Sequence, residues 1–349
     1  MSRSFVRAAV GLLAAVQLVA GAAVAQSPAV SGKDATLATD QQKRQVAQPL
    51  NNAPVWKEIR SGLPQITTVQ GRETNVLIQP EGQTWRALRV PLAAAGGALL
   101  VFALLLLLAF YLWRGPITLH GEPSGRLIER FTVVQRAVHW TVAISFTVLG
   151  LTGLVITFGK AVLLPLVGYT LFSWLATLAK NLHNFVGPIL VVTLPMLILM
   201  FARTNLFSGR DWIWVKKLGG MLSREHVPAD KANAGQKFLF WTMAVALGVV
   251  LCVTGLILDF PNFDQTRQTM QWANVIHLTA GMLALALLSG HVFLGTIGMR
   301  GAYEAMRYGY VDETWAKEHH EYWYNDVMSG NAPRGSSPGA SSVPRHEPA

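Results

Sequence analysis

Residues 272–296 read WANVIHLTAGMLALALLSGHVFLGT. The stretch holds no Asp, Glu, Lys or Arg, and its only titratable side chains are His277 and His291. It is long enough to cross a hydrocarbon layer of ~30 Å as a helix. In lipid the backbone polar groups must be satisfied within the segment, so a helix is required. The two histidines are 14 residues apart. At ~100° and ~1.5 Å per residue they nearly share a face and lie ~21 Å apart along the axis. That spacing suits two redox centres stacked within a helical bundle.

Four further spans of this kind precede it: Pro91–Trp113, Val133–Phe158, Ser173–Phe201 and Phe238–Leu258. None of the five contains Asp or Glu, and the alternating pattern of a membrane barrel is absent. The whole chain agrees. Its 349 residues are 51% hydrophobic and only 14% charged, and the mean hydropathy is +0.34. The net charge of +10 is no sign of nucleic-acid binding, because the aromatics sit inside the apolar runs and the charges lie in short blocks between them. One cysteine, Cys252, excludes a disulfide framework, a cysteine zinc site and a protein-ligated iron–sulfur cluster in this chain.

The ends are different. Residues 1–25 carry Arg3 and Arg7, an apolar core and Ala23-Val24-Ala25, which reads as a secretory signal peptide. Residues 26–89 read as an exported, periplasmic segment, with short strands expected near Thr67-Thr68-Val69 and Val76-Leu77-Ile78. An extra transmembrane helix at 90–113 and a cytoplasmic linker at 114–132 follow. The four-helix membrane domain covers 133–300, and a cytoplasmic tail covers 301–349, its Pro/Ser/Gly-rich end disordered. Basic residues cluster between the first and second spans (Arg114, Arg126, Arg130), between the third and fourth (from Arg203 to Lys237), and after the fifth. In the short loops on the opposite side lie Lys160, Lys180, in the first turns of the third span, and Arg267. This bias places the basic loops and the C-terminus in the cytoplasm of a bacterial inner-membrane protein, with the N-terminus periplasmic.

Four of the nine histidines lie within spans: His139, His183, His277 and His291. Polar side chains at that depth are costly without partners. From the direction of each span, His139 and His291 are level near the cytoplasmic face, and His183 and His277 near the outer face. Two imidazoles from facing helices hold a haem iron axially. No Cys-x-x-Cys-His occurs, so nothing supports a c-type haem. Gly150, Gly153, Gly187, Gly255, Gly281 and Gly290 accompany the histidines. They let a flat macrocycle approach the backbone, or serve ordinary packing of membrane helices. Arg136, one turn before His139, reads equally as a partner for a haem propionate or as a snorkelling interface residue. His319-His320 reads as part of a solvated tail of mixed charge rather than a metal site.

With these residues in view, the chain resembles the cytochrome b (gamma) subunit of membrane-bound respiratory formate dehydrogenases. The resemblance rests on Arg136-Ala137-Val138-His139-Trp140-Thr141, Leu182-His183-Asn184-Phe185-Val186-Gly187, Asn233-Ala234-Gly235-Gln236-Lys237, Val275-Ile276-His277 with Gly281 and His291, and residues 315–324. It implies an all-α integral membrane fold, a four-helix di-haem cytochrome b bundle, here with one extra N-terminal transmembrane helix. It implies two b haems, the outer one on His183 and His277 and the inner one on His139 and His291. Quinone is then the electron acceptor near the cytoplasmic face, with Asn233 and Gln236 close to it and Lys237 favouring a reduced, anionic form. Read without the resemblance, Asn233 is a helix N-cap. The implied partners are an iron–sulfur (beta) subunit and a molybdenum- or tungsten-containing formate dehydrogenase catalytic (alpha) subunit, so this chain transfers electrons and does not itself oxidise formate. The same layout admits the cytochrome b of a [NiFe]-hydrogenase or of another molybdoenzyme. A passive membrane anchor, the reading from another class, predicts that the four histidines are replaceable. A transporter would need acidic groups at the midplane, and the spans have none.

Overall fold

The computed structural model describes residues 83–331 except 224 and 264, together with positions 43, 53, 56, 60 and 61. The signal peptide, the strands expected near Thr67-Thr68-Val69 and Val76-Leu77-Ile78 and the disordered end beyond 331 lie outside the described residues, whereas residues 84–89 of the exported segment already belong to a helix. The chain divides into two compact units, one of residues 1–90 with 260–275 and the other of 91–259 with 276–349.

Five helices are long and apolar enough to cross a membrane: Thr84–Arg114, Val133–Val162, Leu164–Asn205, Ala234–Asp259 and Arg267–Gly298. The protein is a multi-pass membrane protein of the all-α class. In chain order the elements are α1 (Thr84–Arg114), β1 (Leu127–Glu129), α2 (Val133–Val162), α3 (Leu164–Phe201), α4 (Asp211–Lys216), α5 (Ala234–Leu239), α6 (Gly248–Asp259), α7 (Arg267–Phe293), α8 (Ala302–Tyr308), β2 (Tyr310–Asp312), α9 (Glu313–His319) and α10 (Glu321–Met328). A π-helical stretch, Phe240–Leu247, joins α5 to α6, and a second, Leu294–Gly298, ends α7.

Every helix outruns the apolar stretch that announces it. The added turns carry polar residues such as Arg86 and Arg89 in α1, Lys160 in α2 and Arg267 in α7. Helical hydrogen bonding continues into the interface, where apolar composition stops being required. A 30-residue helix spans ~45 Å, more than the ~30 Å hydrocarbon layer. The third span starts at Leu164 instead of Ser173, because α3 follows α2 after Leu163 alone and then kinks at Gly168, whose φ of 75° suits glycine. Long rows of leucine in α1, such as Leu104, Leu105, Leu106 and Leu108, are exposed on the chain, as lipid-facing side chains are.

In the first unit, the described residues begin α1 and α7. The Trp85 amide donates to Gln271 Oε1 at 2.7 Å. The Thr266 hydroxyl accepts the Thr269 amide at 3.1 Å, satisfying one of the free donors at the start of α7.

In the second unit, α1 is the least buried of the five spans, as expected of an extra helix. Gly96 is the point of closest approach, since a Cβ there would run into the Met282 side chain, while one at Gly97 would stand 3.2 Å from the Phe158 ring. Phe110 meets Phe293 edge-on at 6.1 Å.

The segment after α7 corrects the expectation of a solvated tail. β1 pairs antiparallel with β2, Ile128 opposite Val311. Ile128, Ala305, Val311, Trp315, Ala316, Trp323 and Val327 form one buried cluster. Arg130, 3% exposed, lies over the ring of Trp315 at 4.8 Å and that of Trp323 at 5.6 Å, and donates to the Lys231 carbonyl at 2.8 Å. Burial pulls its pKa down to about 9. His320 is buried and donates from Nδ1 to the Asp230 carbonyl at 2.6 Å. Burial pushes the pKa of His319 down to about 4, and burial followed by the charge of Arg130 holds that of His320 well below the usual range. The indoles of Trp315 and Trp323 need a core of their own, and the neighbouring histidines are drawn in with them.

Candidate functional site

The four intramembrane histidines come from three helices, His139 from α2, His183 from α3, and His277 and His291 from α7. They meet as two couples. The rings of His139 and His291 have centroids 6.2 Å apart, and those of His183 and His277 6.1 Å. Two imidazoles on opposite sides of one metal atom, with metal–nitrogen bonds of about 2.0–2.1 Å and ring centres about 1.1 Å further on, have centroids about 6.2–6.4 Å apart. The observed separations fit that arrangement. Three of the rings are half-buried and His291 is exposed on the chain, so all four line accessible space. Among the described residues no three His, Cys, Asp or Glu side chains converge. Each couple therefore offers two neutral nitrogens, a donor set suited to a metal that brings its own equatorial ligands, as iron in a porphyrin does.

The His183–His277 couple meets two threonine hydroxyls, one from α2 and one from α6. Thr152 Oγ1 lies 2.9 Å from His183 Nδ1, and Thr254 Oγ1 2.8 Å from His277 Nδ1. Each hydroxyl donates its own hydrogen to a backbone carbonyl one turn back, Val148 and Val250, both at 2.7 Å. Each Oγ1 can then only accept from the ring, so Nδ1 carries the proton and Nε2 presents its lone pair. The other couple differs. His139 Nδ1 is buried without a hydrogen-bond partner.

Glycines shape the space around the rings. A Cβ at Gly153 would stand 3.5 Å from His183 Cε1, and one at Gly255 would stand 3.4 Å from His277 Cε1. At Gly187, one turn after His183, and at Gly290, beside His291, a Cβ would meet no atom within 4 Å, and at Gly281 only Leu251 at 3.9 Å. These positions leave room for a flat ligand. Gly150 does not: Leu285 fills its face, with 2.7 Å to a Cβ there, which is ordinary helix packing.

Around the His139 couple, Arg136 donates from Nη1 to the Arg307 carbonyl at 2.6 Å, while its Nε is buried with no partner. Asn233 and Gln236 form a reciprocal capping box: Asn233 Oδ1 accepts the Gln236 amide at 2.9 Å, and Gln236 Oε1 accepts the Asn233 amide at 3.0 Å. The N-cap reading of Asn233 is thus the observed one. The cap engages only the oxygens; neither side-chain nitrogen has a partner among the described residues. Lys237 is a correction. It is 1% exposed, and its ammonium is spent on Asp211 Oδ1 and Oδ2, both at 2.9 Å, and Asp230 Oδ2 at 3.1 Å. Three donors meet three carboxylate oxygens, leaving none for an anionic ligand. Burial raises the Asp230 pKa, but Lys237, together with Ser208 and Arg210, outweighs it and the net shift is downward.

Thr152 and Thr254 escaped the sequence reading, and the signal that points to them is an internal repeat. Gln135-Arg136-Ala137-Val138-His139-Trp140-Thr141 parallels Gln236-Lys237-Phe238-Leu239-Phe240-Trp241-Thr242, and Leu151-Thr152-Gly153-Leu154 parallels Val253-Thr254-Gly255-Leu256. Both copies open with a capping box, on Thr132 and on Asn233. From cap to threonine the first runs 20 residues and the second 21. The π-helical stretch Phe240–Leu247 lies where the extra residue must be absorbed. Phe240 takes the place of His139 in the second copy and is buried with Leu197.

Residues 130–309 match the family model of prokaryotic cytochrome b561. The chain is 31% identical over 227 residues to the nitrate-inducible formate dehydrogenase cytochrome b556(Fdn) subunit of Escherichia coli (strain K12), covering 62% of this chain and 99% of that protein. It is 28% identical over 209 residues to the formate dehydrogenase cytochrome b556(fdo) subunit of the same strain, 57% of this chain and 93% of the relative. It is 28% identical over 212 residues to the formate dehydrogenase cytochrome b556 subunit of Haemophilus influenzae (strain ATCC 51907 / DSM 11121 / KW20 / Rd), 58% and 84%. The family implies haem b, and with its paired membrane histidines the chain belongs to the prokaryotic cytochrome b561 family.

Proposed function

We propose that this chain is the membrane cytochrome b subunit of a formate dehydrogenase complex, holding two b haems and carrying electrons from periplasmic catalytic and iron–sulfur subunits to quinone near the cytoplasmic face. The observation that carries the reading is the pair of facing histidine couples, with centroids 6.2 and 6.1 Å apart on three membrane helices. Formate comes from the names of the relatives, and the orientation comes from the basic loops. Because the basic loops put electron exit on the negative side, the complex needs a low-potential donor: each 100 mV opposes each inward charge by ~2.3 kcal/mol.

Haem b between two neutral imidazoles supplies one-electron transfer. The chain's own residues do the rest. His183 and His277 would hold the outer group, and His139 and His291 the inner one. Thr152 and Thr254 keep the outer imidazoles in the ligating tautomer. Gly153 and Gly255 let the helix backbones lie against those rings. Arg136 directs its unpartnered Nε to a propionate. Asn233 and Gln236 turn their free amide nitrogens toward a quinone carbonyl while their oxygens cap α5. The extra helix α1 stays at the edge of the bundle, where it docks the iron–sulfur partner.

The test is to purify the complex with and without this chain and to supply formate with either a soluble dye or a water-soluble quinone. The complete complex reduces both acceptors. Without the chain only the dye is reduced. Undiminished quinone reduction without the chain, or co-purification of the chain with hydrogenase subunits, overturns the assignment.

A further inference from the structure

We propose that Thr152 and Thr254 are positioning residues that hold the haem between His183 and His277 at a lower reduction potential than the haem between His139 and His291. The inference rests on the two-haem reading above and assigns the order of the two potentials to side chains of this chain.

The argument starts from the direction of two hydrogen bonds. The hydroxyls of Thr152 and Thr254 spend their hydrogens on the Val148 and Val250 carbonyls at 2.7 Å. Their oxygens therefore accept Nδ1–H from His183 at 2.9 Å and His277 at 2.8 Å. An imidazole that donates from one nitrogen is a stronger electron donor through the other, and a stronger axial donor stabilises the oxidised metal. Both threonines occupy the same place in the internal repeat, each one helix before the histidine it serves. Both ligands of one couple are thus strengthened alike. The other couple receives no such bond: His139 Nδ1 is buried and unpartnered, and the His291 ring forms no hydrogen bond among the described residues. In the second repeat the position of His139 is taken by Phe240. The bias is therefore confined to one end of the bundle. It gives electrons that arrive at the outer couple a lower-energy place to go at the inner couple.

The test uses the purified full-length chain in its complex, with Thr152→Val, Thr254→Val, the double variant, Thr152→Ser and Thr254→Ser. Thr193→Val is the control, since among the described residues its hydroxyl bonds only the Ile189 carbonyl, at 2.8 Å. Redox titration is followed at the b-type α-band. The transitions are assigned by which one disappears in His139→Ala and which in His183→Ala. In each valine variant the transition tied to His183 should move to higher potential, further in the double variant, while the other stays in place. The serine variants and Thr193→Val should titrate like the unaltered chain. If a valine variant loses haem, loss of the His183-linked haem alone, with serine retaining it, supports the proposal. Unmoved transitions, movement of the His139-linked transition, or loss of both haems overturns it. If the unaltered chain itself lacks two transitions, the two-haem reading fails first, and that is visible before any threonine is changed.

Discussion

Replacing Lys237 by methionine separates a structural ammonium from one that serves a ligand. Lys237 is 1% exposed, and its three donors are taken by Asp211 and Asp230. Removing the charge leaves the Asp211 carboxylate, 9% exposed, with the Ser208 amide at 2.6 Å and the Ser208 hydroxyl at 3.4 Å as its partners among the described residues. Breaking a buried pair in this way costs ~3–5 kcal/mol. Asp230 is 26% exposed and recovers part of its hydration, so the lower end, ~3 kcal/mol, applies. At ~2–4 °C per kcal/mol for a domain of this size, the unfolding midpoint should fall by ~6–12 °C. Thermal unfolding of the purified complex in detergent reads this directly. Adding Asp211→Asn to Lys237→Met removes the stranded charge and should restore most of the loss. A methionine variant as stable as the parent but with a raised KM for quinone would refute the reasoning, because the ammonium would then be serving a ligand instead of the two aspartates.

Three more outcomes follow from the same geometry. Asn233→Asp keeps a good N-cap acceptor but deletes the amide donor, so stability should hold while the KM for quinone rises; an unchanged KM would remove Asn233 from the quinone site. Gly255→Leu drives a branched side chain into His277, whose ring is 3.4 Å from where a Cβ would stand. One of the two haems should be lost in pyridine haemochromogen assays, and full retention would contradict the crowding argument. The folded C-terminal segment should loosen in acid. Its buried histidines are depressed, His319 to about 4, whereas an unfolded histidine titrates near ~6.5. Between those values the unfolded chain binds protons that the folded one refuses, so stability present above ~6.5 is lost as pH falls toward 4. Hydrogen exchange of residues 299–331 at pH 7.5 and pH 5 checks this, and equal protection would exclude the mechanism.

The features legible in the sequence are those written in period and depth. Five apolar runs, and a 14-residue spacing on one helix, led to the right helices and to the couples that the structure brings together. What escaped depended on partners distant in sequence. Thr152 and Thr254 look like ordinary small residues of membrane helices until their hydroxyls are seen against rings on the next helix. Lys237 looks like a loop cation because Asp211 lies 26 residues earlier. His319 and His320 sit in a charged string, Lys317-Glu318-His319-His320-Glu321, whose one-dimensional polarity hides the burial imposed by Trp315 and Trp323. Helix ends lie beyond the apolar stretches because hydropathy marks where lipid begins, whereas backbone hydrogen bonding continues past it.

The central claim is that four imidazoles hold two haems, two by two. The most direct measurement is haem per chain, with the low-spin EPR signals, in the parent and in the four single His→Ala variants. Two haems per parent chain are expected, with His183→Ala and His277→Ala each abolishing one signal and His139→Ala and His291→Ala each abolishing the other. One haem per parent chain, or a variant of one couple erasing the signal assigned to the other, would contradict it.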